Sequence, residues 1–184
     1  KRVSDQNRTI SSLTCSDLMS LPAYEPERLG EEFIDETISS LNQVVDIILN
    51  HPQVTLFVEL KEESIAEFGA EIMLANVCDA LKPIRDRAVL ISFDYSIIAS
   101  AKANGWPQAG PVLLEWSHIH SDQITAIAGD YTFVDYKLLP ETENLDGLAC
   151  KLVAYEVGTG QLANELAGRG VAMFETFDIG SLLK

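Results

Sequence analysis

The pattern of apolar and polar residues divides the chain into an irregular start and a regular remainder. Residues 1–33 are polar and rich in turn-forming residues, including Pro22 and Pro26. From Leu41 onward, apolar residues recur at helical spacing, and Asn50-His51-Pro52 ends the first helix. A second helix is predicted over residues 65–78, before Pro83.

Short apolar runs rich in β-forming residues alternate with helical segments through the rest of the chain. The helical segments lie near residues 96–104, 121–128 and 160–169, and Gly105, Gly129 and Gly170 stand where helices end. The apolar runs are nearly continuous, which is typical of strands covered on both faces, and strand-helix repetition predicts a parallel sheet. The predicted strands cover residues 54–61, 88–94, 111–116, 131–138, 151–157 and 171–177.

Two folds accommodate such a sheet: an open doubly wound sheet, or a barrel of which six strands are present. Acidic residues favour the barrel because they recur near the carboxyl ends of the predicted strands, where the active sites of such barrels lie. Acids at these places also begin helices as caps. No GxGxxG or phosphate-loop motif is present, which weakens a nucleotide-binding interpretation. The acids are Glu59, Asp94, Glu115, Asp135, Glu156 and Glu175.

Composition limits the class of protein and its partners. The 184 residues are 47% hydrophobic and 22% charged, which is typical of one globular domain, predicted here over residues 1–184. The net charge of -15 disfavours nucleic acid and anionic membranes, and an anionic substrate would need a cation or a local basic pocket. No apolar run is long enough to span a membrane, and three widely spaced cysteines favour a reducing, cytoplasmic compartment.

The segment Thr55–Lys61 carries the most informative chemistry. With the period of two of a β-strand, Phe57, Glu59 and Lys61 lie on one face, and Glu59 and Lys61 are about 6.6 Å apart along the strand. A carboxylate and an ammonium at a barrel mouth suit a hard cation and a phosphate oxygen, respectively. A partly buried ion pair is the simpler alternative.

This segment resembles the Glu-Leu-Lys strand of glycerophosphodiester phosphodiesterases, which are eight-stranded (β/α) barrels. Other segments resemble further parts of that family, in the same order and over nearly the whole chain. They are Lys1-Arg2-Val3 with Ile10–Thr14, then Thr37–Leu41, Ile91–Asp94, Gly110–Trp116 and Lys137–Pro140.

The resemblance implies a metal-dependent hydrolysis of glycerophosphodiesters to glycerol 3-phosphate and an alcohol. It implies that Glu59 is a ligand of Mg²⁺ or Ca²⁺ and that Lys61 is a catalytic residue at the phosphate. Tyr155 stands where the family places a tryptophan that contacts substrate. Trp116, at the end of a predicted strand, either lines the pocket or covers a helix.

The family's His-Arg-Gly strand, its Glu-x-Asp metal pair and its His-Asp motif do not occur in these residues. The expected fold is therefore a (β/α)8 TIM barrel whose first two strands are absent from this sequence, so a signal peptide upstream stays open. Two later strands depart from the family pattern: Tyr155–Gly158 lacks the asparagine, and Phe174–Phe177 lacks the Thr-Asp pair.

The histidines have no assigned catalytic role. His118 and His120 form a His-x-His pair that is expected in a solvated loop rather than at a metal, and His51 is expected to be structural. Two other functions stay open: a non-catalytic barrel that binds ligands, and a phospholipase-type barrel acting on a lipid head group. The metal, the head-group alcohol and the oligomeric state also stay open.

Overall fold

The structure is a computed structural model that describes residues 2–182, and it divides into two compact units, residues 1–52 and 53–184. A single domain over residues 1–184 stays a prediction. In the described part of the chain, no helix combines the length and the apolar character needed to cross a membrane.

The first unit contains a 3-10 helix, Ile10–Ser12, followed by three α-helices: α1 (Cys15–Met19), α2 (Pro26–Leu29) and α3 (Leu41–Leu49). Capping boxes begin α1 and α3, in which Thr14 pairs with Asp17 and Ser40 pairs with Gln43. These caps satisfy backbone N–H groups that would otherwise lack acceptors. The start of the predicted first helix at Leu41 is thus confirmed.

The second unit alternates strands with helices, as predicted. In chain order its elements are β1 (Leu56–Glu59), α4 (Glu62–Phe68), α5 (Ala70–Leu81), β2 (Ala88–Ser92), α6 (Tyr95–Ala103), β3 (Gln108–Pro111), α7 (Asp122–Ile127), β4 (Tyr131–Asp135), β5 (Lys151–Tyr155), α8 (Gly160–Gly168), β6 (Met173–Phe174) and α9 (Ile179–Leu182). Three 3-10 helices lie between them, at Lys82–Arg87, Trp116–His120 and Tyr136–Leu138.

All the strands are parallel and form two three-stranded sheets, in the orders β1-β2-β3 and β4-β5-β6. One parallel bridge, between Val112 and Phe133, joins the two sheets, and the Leu113 N–H donates to the Phe133 carbonyl at 2.8 Å. Gly110 is required at this junction because a Cβ there would overlap the carbonyl oxygen of Tyr131. A parallel α/β fold is therefore confirmed, and closure into an eight-stranded barrel stays a prediction.

The strands are covered on both faces, and the combined sheet is curved. Val89, Leu90 and Ile91 are successive residues of β2, and all three are buried. The ring of Phe57 in β1 lies 5.1 Å from the ring of Tyr131 and 5.2 Å from that of Phe133. In a flat sheet β1 and β4 would lie about 14 Å apart, so these contacts require strong curvature.

We call the apolar residues inside this curve the inner cluster. It consists of Val89, Ile91, Val112, Tyr131, Phe133 and Val153, with Phe57, Phe93, Tyr155 and Met173 packed against it.

Several predicted boundaries were wrong. The helix over residues 65–78 is broken at Gly69, whose φ of +85° separates α4 from α5. The strand predicted over residues 111–116 lies at Gln108–Pro111, so Trp116 does not end a strand but begins a 3-10 helix. The last strand is reduced to Met173–Phe174.

The end of α7 also differs from the prediction. Gly129 was expected where the helix ends, but the C-cap is Ala128, which has a left-handed conformation with a φ of +47°. At Gly129, a Cβ would lie 3.1 Å from Pro111 Cδ and 3.2 Å from the Ala109 carbonyl oxygen, so a larger residue would fit only if these neighbours shifted.

Candidate functional site

Glu59 and Lys61 lie side by side at the carboxyl edge of the sheet, where the parallel strands end. Glu59 is the last residue of β1, and the strand predicted to continue to Lys61 stops there, since Lys61 is the N-cap of α4. Between them, Leu60 is buried and its N–H donates to the Ile91 carbonyl at 2.8 Å, which fixes the chain as it leaves the strand. Lys61 Nζ is 2.7 Å from Glu59 Oε2.

The two carboxylate oxygens of Glu59 have different surroundings. Oε2 contacts Lys61, whereas Oε1 is buried and has no hydrogen-bond partner among the described residues. Leaving a buried carboxylate oxygen without a donor is costly, so this atom suits a cation or a ligand that donates to it. The ion pair considered as the simpler alternative is present, but it engages only one of the two carboxylate oxygens, Oε2.

A cavity of about 380 Å³ lies beside Glu59. Its floor is apolar and its other charged residue is Glu175, just beyond β6. The lining residues are Phe57, Glu59, Ile91, Phe133, Val153, Met173, Phe174 and Glu175. Curvature of the sheet thus places the ends of β1 and β6 around one cavity, although they belong to different sheets.

Glu175 also lines this cavity, and no role was predicted for it from the sequence. Partial burial raises the pKa of its carboxyl group, the Glu59 carboxylate raises it further, and Lys61 opposes the shift. The sequence signal was an acid near the end of a predicted strand. That signal could not show which other strand ends lie close to it.

The described residues provide only part of a metal site. Glu59 Oε1 fits a hard cation, which takes oxygen ligands. Across residues 2–182, however, no group of three or more His, Cys, Asp or Glu side chains is arranged to hold a metal ion. Glu59 as a ligand of Mg²⁺ or Ca²⁺ therefore stays a prediction.

Tyr155 is the last residue of β5 and is half-buried against the inner cluster. Its neighbour on that face is Val153, which lines the cavity beside Glu59. Burial raises the pKa of the Tyr155 phenol, and the Asp135 carboxylate adds to this effect. The structure thus places Tyr155 on the concave side of the sheet, although it does not line that cavity.

Trp116 lies away from the Glu59 cavity, among the residues that follow β3. It is half-buried and is the first residue of the 3-10 helix Trp116–His120. The cavity lining defined above does not include Trp116, so its contact with substrate stays a prediction. His118 on the same helix was expected in a solvated loop but is half-buried, and its Nδ1 lies 3.1 Å from the Tyr95 hydroxyl.

Neither a protein-family model nor a curated protein sequence matches this chain. Solved structures do match it. A phosphodiesterase of Oleispira antarctica, in complex with the product sn-glycerol-3-phosphate, is 21% identical, with a TM-score of 0.75 over 95% of this chain and 71% of that one. A glycerophosphodiester phosphodiesterase of Parabacteroides distasonis is 16% identical, with a TM-score of 0.72 over 97% of this chain and 72% of that one.

Identities this low show a shared fold. The chain thus has the fold of the larger part of the glycerophosphodiester phosphodiesterases that it resembles.

Proposed function

We propose that this protein hydrolyses glycerophosphodiesters to glycerol 3-phosphate and an alcohol, with a divalent cation, Mg²⁺ or Ca²⁺. The observation that carries the proposal is the Glu59–Lys61 pair with its buried, unpartnered carboxylate oxygen. This pair lies at the carboxyl edge of a parallel sheet, where the active sites of (β/α) barrels lie. The fold shared with phosphodiesterases, one of them holding sn-glycerol-3-phosphate, supports the same reaction.

The two residues would stabilise the negative charge of the phosphate, Lys61 directly and Glu59 through a bound cation. The Lys61 side chain is 60% exposed, so its ammonium can approach a phosphate oxygen while it stays paired with Glu59 Oε2. Charge on the phosphoryl oxygens is then offset as the water oxygen bonds to phosphorus and the P–O bond to the alcohol breaks. Glu59 Oε1 would bind the cation, which would neutralise further phosphate charge.

Proton transfer in this reaction needs a base for the attacking water and an acid for the departing alcohol. The resemblance assigns these roles to two histidines in motifs that residues 1–184 do not contain. Glu59 and Lys61 are therefore proposed for charge stabilisation and binding, and not for moving protons.

The test is an assay of the protein expressed from its full gene. Release of sn-glycerol 3-phosphate from glycerophosphocholine would be followed with a coupled dehydrogenase, after chelation and after adding back Mg²⁺ or Ca²⁺. The expected result is activity that chelation abolishes and one of the metals restores. No release at saturating concentrations of either metal would contradict the proposal.

A non-catalytic binding module is the second candidate. Such a module would bind sn-glycerol 3-phosphate in a calorimeter but release no product from any diester. A phospholipase-type enzyme would instead prefer diesters that carry an acyl chain, so lysophospholipids belong in the substrate panel.

A further inference from the structure

Glu175 differs from the other acidic residues near the carboxyl ends of the strands because its carboxylate has no partner. Each of the other five accepts a hydrogen bond or forms an ion pair, and they are Glu59, Asp94, Glu115, Asp135 and Glu156. Within residues 2–182, the Glu175 carboxylate forms neither kind of contact. This carboxylate is therefore free to bind a ligand.

The main chain fixes the place of Glu175 at the cavity beside Glu59. The Glu175 N–H donates to the Ala154 carbonyl at 2.9 Å, and the Glu175 carbonyl accepts from the Val157 N–H at 3.0 Å. These two bonds join the chain just beyond β6 to the end of β5 and to the residues that follow it. Glu175 is thus held in the lining of the cavity by its backbone, and its carboxylate is not used for that purpose.

The side chains that line this cavity limit the kind of group that it can bind. They are two glutamates, three phenylalanines and three other apolar residues, so none of these described side chains donates a hydrogen bond when the glutamates are ionised. A phosphate needs donors or cations around its oxygens. A polyol would leave its hydroxyl oxygens without donors from these side chains. The lining therefore matches neither a phosphate nor a polyol.

The same lining matches a cation that carries methyl groups. Aromatic rings attract cations, and quaternary ammonium ligands are recognised in this way. The rings of Phe57 and Phe133 lie 5.2 Å apart, and Phe174 is half-buried on β6, next to Glu175. Methyl groups can pack on this apolar surface while the carboxylate supplies the opposite charge. A quaternary ammonium has no hydrogen to donate, so it leaves no donor unsatisfied in such a cavity.

Lys61 and Glu175 give the site one positive and one negative group. The charges of both Glu59 and Lys61 act on Glu175, the first raising the pKa of its carboxyl group and the second lowering it. Lys61 is thus close enough to Glu175 to influence it, although its ion pair is with Glu59. In a phosphocholine ester, an ethylene group joins an anionic phosphate to a cationic nitrogen. These two charges are complementary to those of Lys61 and Glu175, respectively.

We propose that the cavity beside Glu59 binds the quaternary ammonium of a choline head group, with Glu175 as its counter-ion and Phe174 as an aromatic wall. The inference rests on the proposed function and deepens it, because it names the alcohol of the substrate. With the phosphate at Lys61, the trimethylammonium group of glycerophosphocholine would enter the cavity. Glu175 and Phe174 are then specificity-determining residues, which affect KM and not the step that breaks the P–O bond.

The first test measures binding in the absence of any reaction. Choline and its neutral carbon isostere, 3,3-dimethylbutan-1-ol, would each be titrated into the full-gene protein in a calorimeter, at saturating Mg²⁺ or Ca²⁺. Choline should bind about tenfold more tightly than the isostere, and Glu175→Gln should reduce this ratio about fivefold. Phe174→Leu keeps an apolar side chain but removes the ring, so it should weaken choline binding about two- to fivefold and leave binding of the isostere unchanged.

Glu156→Gln is the matched control, because it removes the same charge from the end of the neighbouring strand. Glu156 is exposed, pairs with Lys137 and does not line the cavity, so the ratio of the two affinities should be that of the wild type. Equal losses in Glu156→Gln and Glu175→Gln would indicate a general effect of negative charge and would overturn the inference. Loss of choline binding at saturating metal would show that Glu175 binds the metal instead, with the same consequence.

The second test is kinetic and separates this inference from the proposed function. Glu175→Gln should raise KM for glycerophosphocholine about five- to tenfold, with little change in kcat and little change in KM for glycerophosphoglycerol. Equal increases in KM for the two diesters, or none for either, would overturn the inference while the hydrolysis itself stands. Choline binding that depends on Glu175, in a protein that hydrolyses neither diester, would contradict the proposed function alone.

Discussion

Two lysine–glutamate pairs lie at the carboxyl edge of the structure, one beyond each sheet, and they differ in burial. Lys61 and Glu59 are 2.7 Å apart, and the Glu59 side chain is 27% exposed. Lys137 and Glu156 are 3.3 Å apart, and both side chains are more than half exposed. The same two residue types thus form a partly desolvated pair in one place and a solvated pair in the other.

The difference shows which pair can contribute to chemistry. Solvent screens the Lys137–Glu156 pair, and exposed pairs of this kind contribute little. At Glu59, the buried Oε1 has no donor among the described residues, so this oxygen is able to bind a cation or a donor group of a ligand. The comparison predicts that equivalent substitutions in the two pairs have unequal effects on activity.

The largest expected effect is on the two carboxylates. Glu59→Gln should abolish metal-dependent release of sn-glycerol 3-phosphate, because the amide keeps the size of the side chain but removes the charge that a hard cation requires. Glu156→Gln should leave the rate close to that of the wild type. Equal rates for the two variants, assayed with the full-gene protein at saturating metal, would remove Glu59 from the site.

The two lysines give the next test. Lys61→Ala should lower kcat about a hundredfold, because the ammonium would offset charge that develops on the phosphoryl oxygens. Lys137→Ala should change kcat less than twofold, since Lys137 is exposed and bound to Glu156. A loss of similar size in both variants would indicate a general effect of positive charge at this edge.

Tyr155 tests whether the second sheet contributes to binding at all. Tyr155→Ala should raise KM for glycerophosphodiesters about tenfold, a loss of about 1.4 kcal/mol. Tyr155→Phe keeps the ring on the inner cluster and should retain most of the affinity. If Tyr155→Ala instead lowers the melting temperature strongly and leaves KM unchanged, Tyr155 is a packing residue and not part of the site.

The smallest effect concerns the pH dependence of stability through Glu175. Its pKa is raised in the folded protein, first by burial and then by Glu59, so the folded state binds the proton more tightly than the unfolded state. The free energy of unfolding should therefore fall as the pH rises from the unfolded pKa through the folded one. Glu175→Gln should make the melting temperature depend less on pH between pH 4 and 8. An unchanged pH dependence in this variant would contradict the prediction.

Much of the fold could be predicted from periodicity, because the local spacing of apolar and polar residues indicates where helices and buried strands form. The order of strands and helices from β1 to α8 was predictable for this reason. The β3 strand was misplaced because its sequence, Gln-Ala-Gly-Pro, is poor in β-forming residues, while the following Val112-Leu113-Leu114 is rich in them. The close approach of β3 to Tyr131 requires glycine at 110, and this requirement arises from tertiary packing and not from the local sequence.

The candidate site was predictable only where it is local. Glu59 and Lys61 are close in sequence, so their pairing could be inferred from spacing. The approach of Glu175 to Glu59 depends on the curvature of the sheet. The hydrogen bond between Tyr95 and His118 joins residues 23 positions apart, and no periodic pattern in the sequence could predict it.

The junction at Gly110 has a consequence for how the second unit comes apart. Within each sheet the strands are joined by ladders of several residue pairs, whereas one bridge, Val112 to Phe133, crosses from β3 to β4. Opening at this seam would break few backbone hydrogen bonds and would leave β1-β2-β3 and β4-β5-β6 each intact. In native-state hydrogen exchange the two sheets should therefore appear as separate protection blocks, with the amides of Leu113 and Asp130, which donate to the Phe133 and Ala109 carbonyls, exchanging through the smallest opening.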